Sequence, residues 1–366
     1  MNVGLDARFA AGRRRGIGKY SYHLIRGLTH EPGIQLFLYI ACGDLPADIL
    51  SCQNVTIRRI ASGFYPVWEQ VLLPLAVRRD GLDIFHSLGN TGPVRGIPNC
   101  KFVLTIHDVM YLDTGVRFTG IYQRIGNAYR RCVVPVAARS ADLILTDSVY
   151  SRSDILRRIS LDAARIRVVH LGVESHEGPF GVRRAHQEKT IVVLAAKDPR
   201  KNTMRALRCF AELPRDVRVR LKLVGTMPGD MPDVDELVRD LHLNHDVDYC
   251  GFVSDQELLR LYSSSTMLFY PSLSEGFGLP VLEAMSCGCP VIASDRCSIP
   301  EVAGEAALLV DPEDEPAMVS AIRQLLADES LQQTLAARGV VRASQFSWEA
   351  TAGATLTAYR EVLRSP

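Results

Sequence analysis

Several common signatures are missing from this 366-residue chain, and each absence narrows what it can do. No uninterrupted apolar run approaches the roughly 18 residues that a membrane-spanning helix needs. The opening "MNVGLDARFAAGRRRG" does not read as a signal peptide, so the expected address is the cytoplasm. The nine cysteines are odd in number and lack paired spacing, which fits reduced thiols better than a disulfide frame. "CGC" at 287–289 with Cys297 has no second CxxC and no nearby histidine, so no metal is expected there. No GxxxxGK[ST] phosphate loop occurs, which argues against an ATPase. Low-complexity tracts and residue-level repeats are also lacking.

What is present suits a soluble globular enzyme. Hydrophobic residues make up 47% and charged residues 23%, and the length suggests two domains. The net charge of +1 conceals a polarity. Residues 1–172 carry 22 basic against 13 acidic side chains, and the rest of the chain 20 against 28. A basic first half can attract an anionic substrate or membrane surface, or simply neutralise the acidic half across a cleft.

Short β-branched runs alternate with amphipathic stretches. "MNVGLDA", "IQLFLYIA", "LDIFHS", "KFVLTIHD", "DLILTDS" and "RIRVVHLG" read as strands, and "GKYSYHLIRGLTH" as a helix. Polar residues 175–189, with Gly and Pro, read as a linker. A second series follows: "TIVVLAA", "RVRLKLVG", "VDYCGFV", "TMLFYPS", "PVIASD" and "AALLVDP". The expected organisation is two doubly wound α/β domains, 1–174 and 190–345, facing each other across a cleft. A closing helical segment, 346–366, is expected to pack back on the first domain. In such sheets ligands bind at the carboxyl ends of the strands.

Six stretches carry candidate chemistry. "RRRGIGKYSYHL" follows the first strand, and Gly16 and Gly18 would let backbone approach a phosphate or sugar. The third glycine of a dinucleotide fingerprint is replaced by Ser21, so a plain turn is the alternative. "TIHDVMY" sets His107 at a strand end, where it can donate to a hydroxyl or phosphate, with Asp108 orienting loop backbone or the ring. A satisfied structural histidine is the competing reading. "AAKDPRKN" offers Arg200 and Lys201 as adjacent cations suited to a diphosphate. The triplets "DVD" at 233–235 and 246–248 could hold Mg²⁺ but fit solvated or capping roles better. "SEGFGLPVLEAMSCGCPV" places Glu275 and Glu283 around a glycine-bearing loop that opens a helix. The helix start suits a phosphate, the carboxylates suit hydroxyls, and a nucleotide sugar carries both.

Together, "GIGKYSYHLIRGL", "TIHDVMYLD", "DPRKN", "GFVSDQELLRLYSSS" and "PSLSEGFGLPVLEAMSCGCPVIASDRCSIPEVAGEAALLVDPED" resemble retaining glycosyltransferases of family 4, with the two-domain GT-B fold. The resemblance implies that Glu283 binds the nucleotide ribose. Glu275, with the backbone amides of Phe277, Gly278 and Leu279, would hold the hexose and its phosphate. Lys201 and Arg200 would neutralise the diphosphate, His107 would lie near the sugar, and the Gly16–Gly18 loop would close over the phosphate or acceptor. Where many relatives carry glycine, this chain has Ala195 and Ala196, leaving Arg200 as second cation.

The resemblance further implies a nucleotide-sugar donor, GDP-mannose favoured over UDP-hexose or deoxyhexose donors. No cofactor and no metal are required, and no nucleic-acid partner is expected. The acceptor would be a saccharide or lipid-linked saccharide in surface polysaccharide assembly, with peripheral association at the inner face of the membrane. The apolar stretch 64–77 suits such an acceptor, although an ordinary core helix explains it too. A sugar-nucleotide epimerase, a phosphorylase with a pyridoxal-phosphate lysine, and an inactive assembly subunit are the rival readings.

Overall fold

The computed structural model describes residues 1–12, 14, 16–112, 121–174, 189–214 and 219–364, with backbone only at 121–123. The expected linker, 175–189, lies outside the described residues except for Lys189, which opens a strand. Two compact units emerge. One comprises Met1–Gly172 and the chain from Trp348 onward, and the other Val173–Ser347.

The first unit is built on β1 (Asn2–Asp6), β2 (Gln35–Ile40), β3 (Val55–Arg59), β4 (Ile84–Ser87), β5 (Lys101–Thr105), β6 (Leu143–Thr146) and β7 (Ile166–Val168). They pair in parallel in the order β3-β2-β1-β4-β5-β6-β7, so Leu5 lies beside Leu38 on one side and His86 on the other. The central strands β4 and β6 are buried along their whole length, and β5 after its first residue, as a parallel sheet covered on both faces requires. Trp68, Phe85, Phe102, Leu104 and Ile144 belong to the core that covers it. β3 was not anticipated from the sequence. It is a half-exposed edge strand whose last two residues, Arg58 and Arg59, are exposed and paired with Asp80 and Asp44.

The second unit holds β8 (Lys189–Leu194), β9 (Val219–Val224), β10 (Val247–Gly251), β11 (Met267–Tyr270), β12 (Val291–Ser294) and β13 (Leu308–Val310). Its parallel order is β10-β9-β8-β11-β12-β13. Val193, Phe210, Leu221, Leu223, Phe269, Ile292 and Leu325 are among its buried residues. Both sheets are Rossmann-like, with the strand order reversing between the first and fourth strands of each.

The helix Trp348–Arg364 joins the first unit, although it comes last in the chain. Its Trp348 stacks on His23, with ring centroids 4.4 Å apart, and the Tyr359 hydroxyl lies 2.6 Å from Nδ1 of His86. Helix Ile17–Thr29 meets it at Gly27, where a Cβ would stand 2.5 Å from that of Ala352. A side chain at Gly27 would therefore force the two helices apart.

The stretch 64–77 is half core and half surface. Trp68, Leu73 and Val77 are buried, whereas Phe64, Val67, Val71 and Leu75 are exposed. No helix among the described residues is long and apolar enough to cross a membrane.

Gly27→Val should destabilise the protein by ~1–3 kcal/mol through overpacking. Denaturant unfolding measures this directly. A loss no greater than that of a helical glycine with open space beside it, such as Gly126→Val in helix Ile121–Ser140, would show that the helices do not depend on this close approach.

Candidate active site

In the second unit the strand order reverses between β8 and β11, and the loops leaving these strands supply the candidate residues. After β8, Asp198 accepts from the backbone N–H of Arg200 and so caps the short 3₁₀ turn Pro199–Lys201. Asn202 then takes a left-handed conformation, φ 58°, which asparagine tolerates better than most residues. Its Nδ2 donates to the carbonyls of Pro271 (3.0 Å) and Pro312 (2.8 Å). The Leu273 N–H donates to the Arg200 carbonyl, which also lies 3.0 Å from the Ser272 hydroxyl oxygen. These bonds join the loop after β8 to the loop after β11.

The join brings Lys201 to Glu275. The Lys201 ammonium lies 2.6 Å from Oε1 of Glu275 and 2.7 Å from the Tyr270 hydroxyl. Tyr270 and Ser272 donate to the same oxygen, at 2.7 and 2.5 Å. Among the described residues, no hydrogen bond reaches Oε2 of Glu275. The two side chains are 27% and 14% exposed, so the pair is sheltered yet reachable. Burial, followed by the charge of Glu275, raises the Tyr270 phenol well above its ordinary pKa, keeping it a neutral donor. Tyr270, Ser272 and Asn202 were not anticipated. They lie within the quoted motifs but are single polar residues whose roles depend on the loop path.

Gly278, at φ 104°, opens the helix Leu279–Ser286, which has no side-chain cap. A side chain at Gly278 would meet Ile299 at 2.5 Å. Pro280 in the first turn has no N–H, so Leu279 and the preceding loop must supply any amide for an anion. Phe277 is buried against Phe346, with ring centroids 6.1 Å apart. The Ser298 hydroxyl lies 2.9 Å from the carbonyls of both Glu275 and Phe277, fixing the loop from outside. Glu283 is buried within this helix.

Arg200 does not stand as a second free cation. Its guanidinium contacts both oxygens of Asp198, with Nε at 3.0 Å from each. Burial would raise the Asp198 carboxyl, but the hydrogen bonds and charge of Arg200 hold it below its ordinary pKa. Both expected cations are thus ion-paired, Arg200 with Asp198 inside its own turn and Lys201 with Glu275 across two loops.

His107 requires a second correction. It is buried at the carboxyl end of β5, with Nδ1 2.7 Å from Asp147 and Nε2 2.9 Å from the Leu88 carbonyl. With both nitrogens engaged, the ring cannot also donate to a sugar. Asp147, from the end of β6, orients it, while Asp108 accepts from the Met110 backbone N–H. The Gly16 and Gly18 expectations divide. Gly16 is exposed at the start of helix Ile17–Thr29, but Gly18 is buried because a Cβ there would meet the Phe9 carbonyl at 2.8 Å. Gly18 thus serves packing rather than a ligand.

The aspartate triplets have structural partners. Asp248 is ion-paired with Arg220 and Lys222, and Asp235 accepts from Tyr249 and the Gly229 N–H.

Residues 14–177 match the family model described as Glycosyltransferase Family 4, and residues 177–340 the one described as Glycosyl transferases group 1. The chain belongs to glycosyltransferase family 4, with the GT-B fold. It is 38% identical over 232 residues to O-antigen chain mannosyltransferase B of Escherichia coli, covering 60% of this chain and 61% of that protein. It is 33% identical over 231 residues to the MMP alpha-(1->4)-mannosyltransferase of Mycolicibacterium hassiacum, covering 62% and 56%. The chain thus spans less than two thirds of the length of these relatives. Sucrose-phosphate synthase from Thermosynechococcus elongatus has a similar structure, with a TM-score of 0.78 at 20% identity over the whole of both chains.

His107 and its buried neighbour His86 give stability opposite pH dependences. Burial would lower the His107 pKa, but the charge and hydrogen bond of Asp147 outweigh it and raise the value. Its contribution is full below the ordinary 6.5 and is lost as pH rises through the raised value. Burial, with the charge of His107 adding to it, lowers His86 to about 3. That contribution is full above 6.5 and fades as pH falls toward about 3. The stability deficit of His107→Gln relative to wild type should therefore be greatest below 6.5 and shrink at alkaline pH. Unfolding curves across that range test this, and a pH-independent deficit would refute the charged-pair reading.

Proposed function

We propose that this chain is a retaining hexosyltransferase that moves mannose from GDP-mannose to a saccharide or lipid-linked saccharide during surface polysaccharide assembly. The contact between Lys201 and Glu275 at the strand reversal carries the reading. It sets a cation, for departing phosphate oxygens, beside a carboxylate able to accept from sugar hydroxyls. Such groups act most strongly where charge develops in the transition state. The names of the mannosyltransferase relatives support mannose as the transferred sugar.

In this reading the C1–O bond to the diphosphate breaks and the acceptor oxygen bonds to C1 from the same face. The acceptor proton passes to the departing phosphate oxygen, so the anomeric configuration is retained. Lys201 stabilises the diphosphate, aided by the helix start at Gly278. Glu275 positions the hexose through hydroxyls, and Glu283 holds the ribose. Arg200, matched by Asp198, acts on the loop rather than directly on the phosphate. Metal-independent transfer fits the ion pairs that already occupy Asp248.

A panel of nucleotide sugars, followed by release of nucleoside diphosphate, tests the donor. Turnover should be greatest with GDP-mannose, persist in EDTA and give an α-linked product from an α-linked donor. Glu275→Gln and Lys201→Met should each lower turnover by about 10²-fold or more with small changes in melting temperature. Glu283→Gln should weaken binding of free GDP. Near-normal turnover in the first two variants would remove this site assignment, and an inverted product would remove the same-face route.

A further inference from the structure

The two glutamates on either side of Gly278 each have a buried tyrosine near them, and the two tyrosines differ in one respect. Tyr270, which ends β11, donates to Oε1 of Glu275 at 2.7 Å. Tyr262 lies near Glu283, and its hydroxyl has no hydrogen-bond partner among the described residues. It sits on the helix Asp255–Ser264, which packs on the helix Leu279–Ser286 that carries Glu283. The Ser263 hydroxyl, next to Tyr262 in sequence, is in hydrogen-bond contact with the Cys287 thiol, one turn beyond Glu283. That contact sets Tyr262 alongside the stretch from Glu283 to Cys287.

An unpaired hydroxyl in a core is costly. At 0% exposure the Tyr262 side chain is out of reach of bulk water. Buried polar groups are nearly always paired, and one left unpaired loses its hydration with nothing in return. A phenylalanine would fill the same space without that loss.

Few groups nearby could take the proton of this hydroxyl. The Cys287 and Cys289 thiols act on Tyr262 less strongly than Glu283 does, and thiol sulfur is a weak acceptor. The Glu283 carboxylate, itself buried, is the strong acceptor. Burial, followed by the charge of Glu283, holds the Tyr262 phenol well above its ordinary pKa, so it stays a neutral donor. Burial also dominates at Tyr270, where Glu275 acts next and Tyr262 and Glu283 add to it. The two phenols and the two carboxylates therefore form one sheltered array around the loop.

We propose that Tyr262 is a positioning residue for Glu283: when the nucleotide ribose binds, the phenol donates to one oxygen of the carboxylate and turns the other toward the ribose hydroxyls. A change of rotamer at Glu283 brings the two groups together. The arrangement repeats that of Tyr270 and Glu275, where donors gather on one carboxylate oxygen. The inference rests on the ribose role given to Glu283 in the proposed function.

Titration calorimetry with free GDP and free UDP as probes tests it. Glu283→Gln should weaken binding of whichever nucleotide the wild type prefers. Tyr262→Phe should weaken it roughly tenfold, the scale of one hydrogen bond to a charged group, with a melting temperature equal to or above wild type. In the Glu283→Gln background, Tyr262→Phe should change the affinity by less than about twofold, since both act through one contact. In steady state Tyr262→Phe should raise the donor KM and leave kcat near wild type, as loss of uniform binding requires.

Unchanged affinity in Tyr262→Phe, while Glu283→Gln weakens binding, would overturn the inference and leave the ribose role of Glu283 standing. Unchanged affinity in Glu283→Gln would remove that role and this inference with it, as would failure of the wild type to bind either nucleotide. Equal losses from Tyr262→Phe in both backgrounds would show that it does not act through Glu283. A melting temperature well below wild type would assign the hydroxyl to the core instead.

Discussion

Reversal of strand order is the constraint from which the candidate chemistry follows. In a parallel sheet each strand must be followed by a crossover, and crossovers on one side of the first strand cover one face while those on the other side cover the opposite face. The loops leaving the two strands at the reversal therefore part, and their backbone groups and side chains are not consumed in covering the sheet. β8 and β11 form such a pair, and so do β1 and β4. Lys201 and Glu275, more than seventy positions apart, meet because their loops flank the first of these reversals.

The meeting has an electrostatic consequence. Both charges are sheltered, and in the absence of ligand each partly compensates the other's loss of hydration. Tyr270 and Ser272 share in this by donating to the same carboxylate oxygen, which leaves the second oxygen for a ligand. A phosphate arriving at Lys201 and a hydroxyl arriving at Glu275 can replace the mutual contact without leaving either charge unmatched. Arg200 differs because Asp198 is its sequence neighbour and contacts both sides of the guanidinium fork. A ligand would have to compete with two short carboxylate contacts there, so adjacency in "RK" does not mean equivalence.

The sequence disclosed most of the fold, and for a physical reason. Strands buried on both faces are near-continuous apolar runs, as β6, β11 and β12 are, while β9 was legible from its alternation of apolar and charged residues. β3 escaped because none of its five residues is fully buried and its last two are exposed arginines, so it has no such run. The site was legible where chemistry concentrates in a short loop, as around Glu275. It was misleading at His107, since a histidine at a strand end looks the same whether its nitrogens are free or taken. Asp147, which takes one of them, lies 40 positions away. The buried Glu69 was illegible for the same reason: the side chains that hydrogen-bond to it come from residues 8 to 129, and only the folded sheet assembles them.

His86 and His107 show how the first unit accommodates polar groups at the heart of its sheet. His86 lies on the central β4, between the Tyr359 and Thr105 hydroxyls, with no carboxylate in its hydrogen-bond shell. A proton there would be an unpaired buried charge, and the neighbouring His107 adds to the penalty. His107 has Asp147 beside it, which favours its charged form, whereas His86 has no such partner. The charge is thereby confined to the carboxyl end of the sheet, while the histidine beneath it stays neutral and ties the last helix to the sheet through Tyr359. That tie explains why a helix at the far end of the sequence belongs to the first unit: its hydroxyl completes a polar network that the preceding residues of that unit leave open.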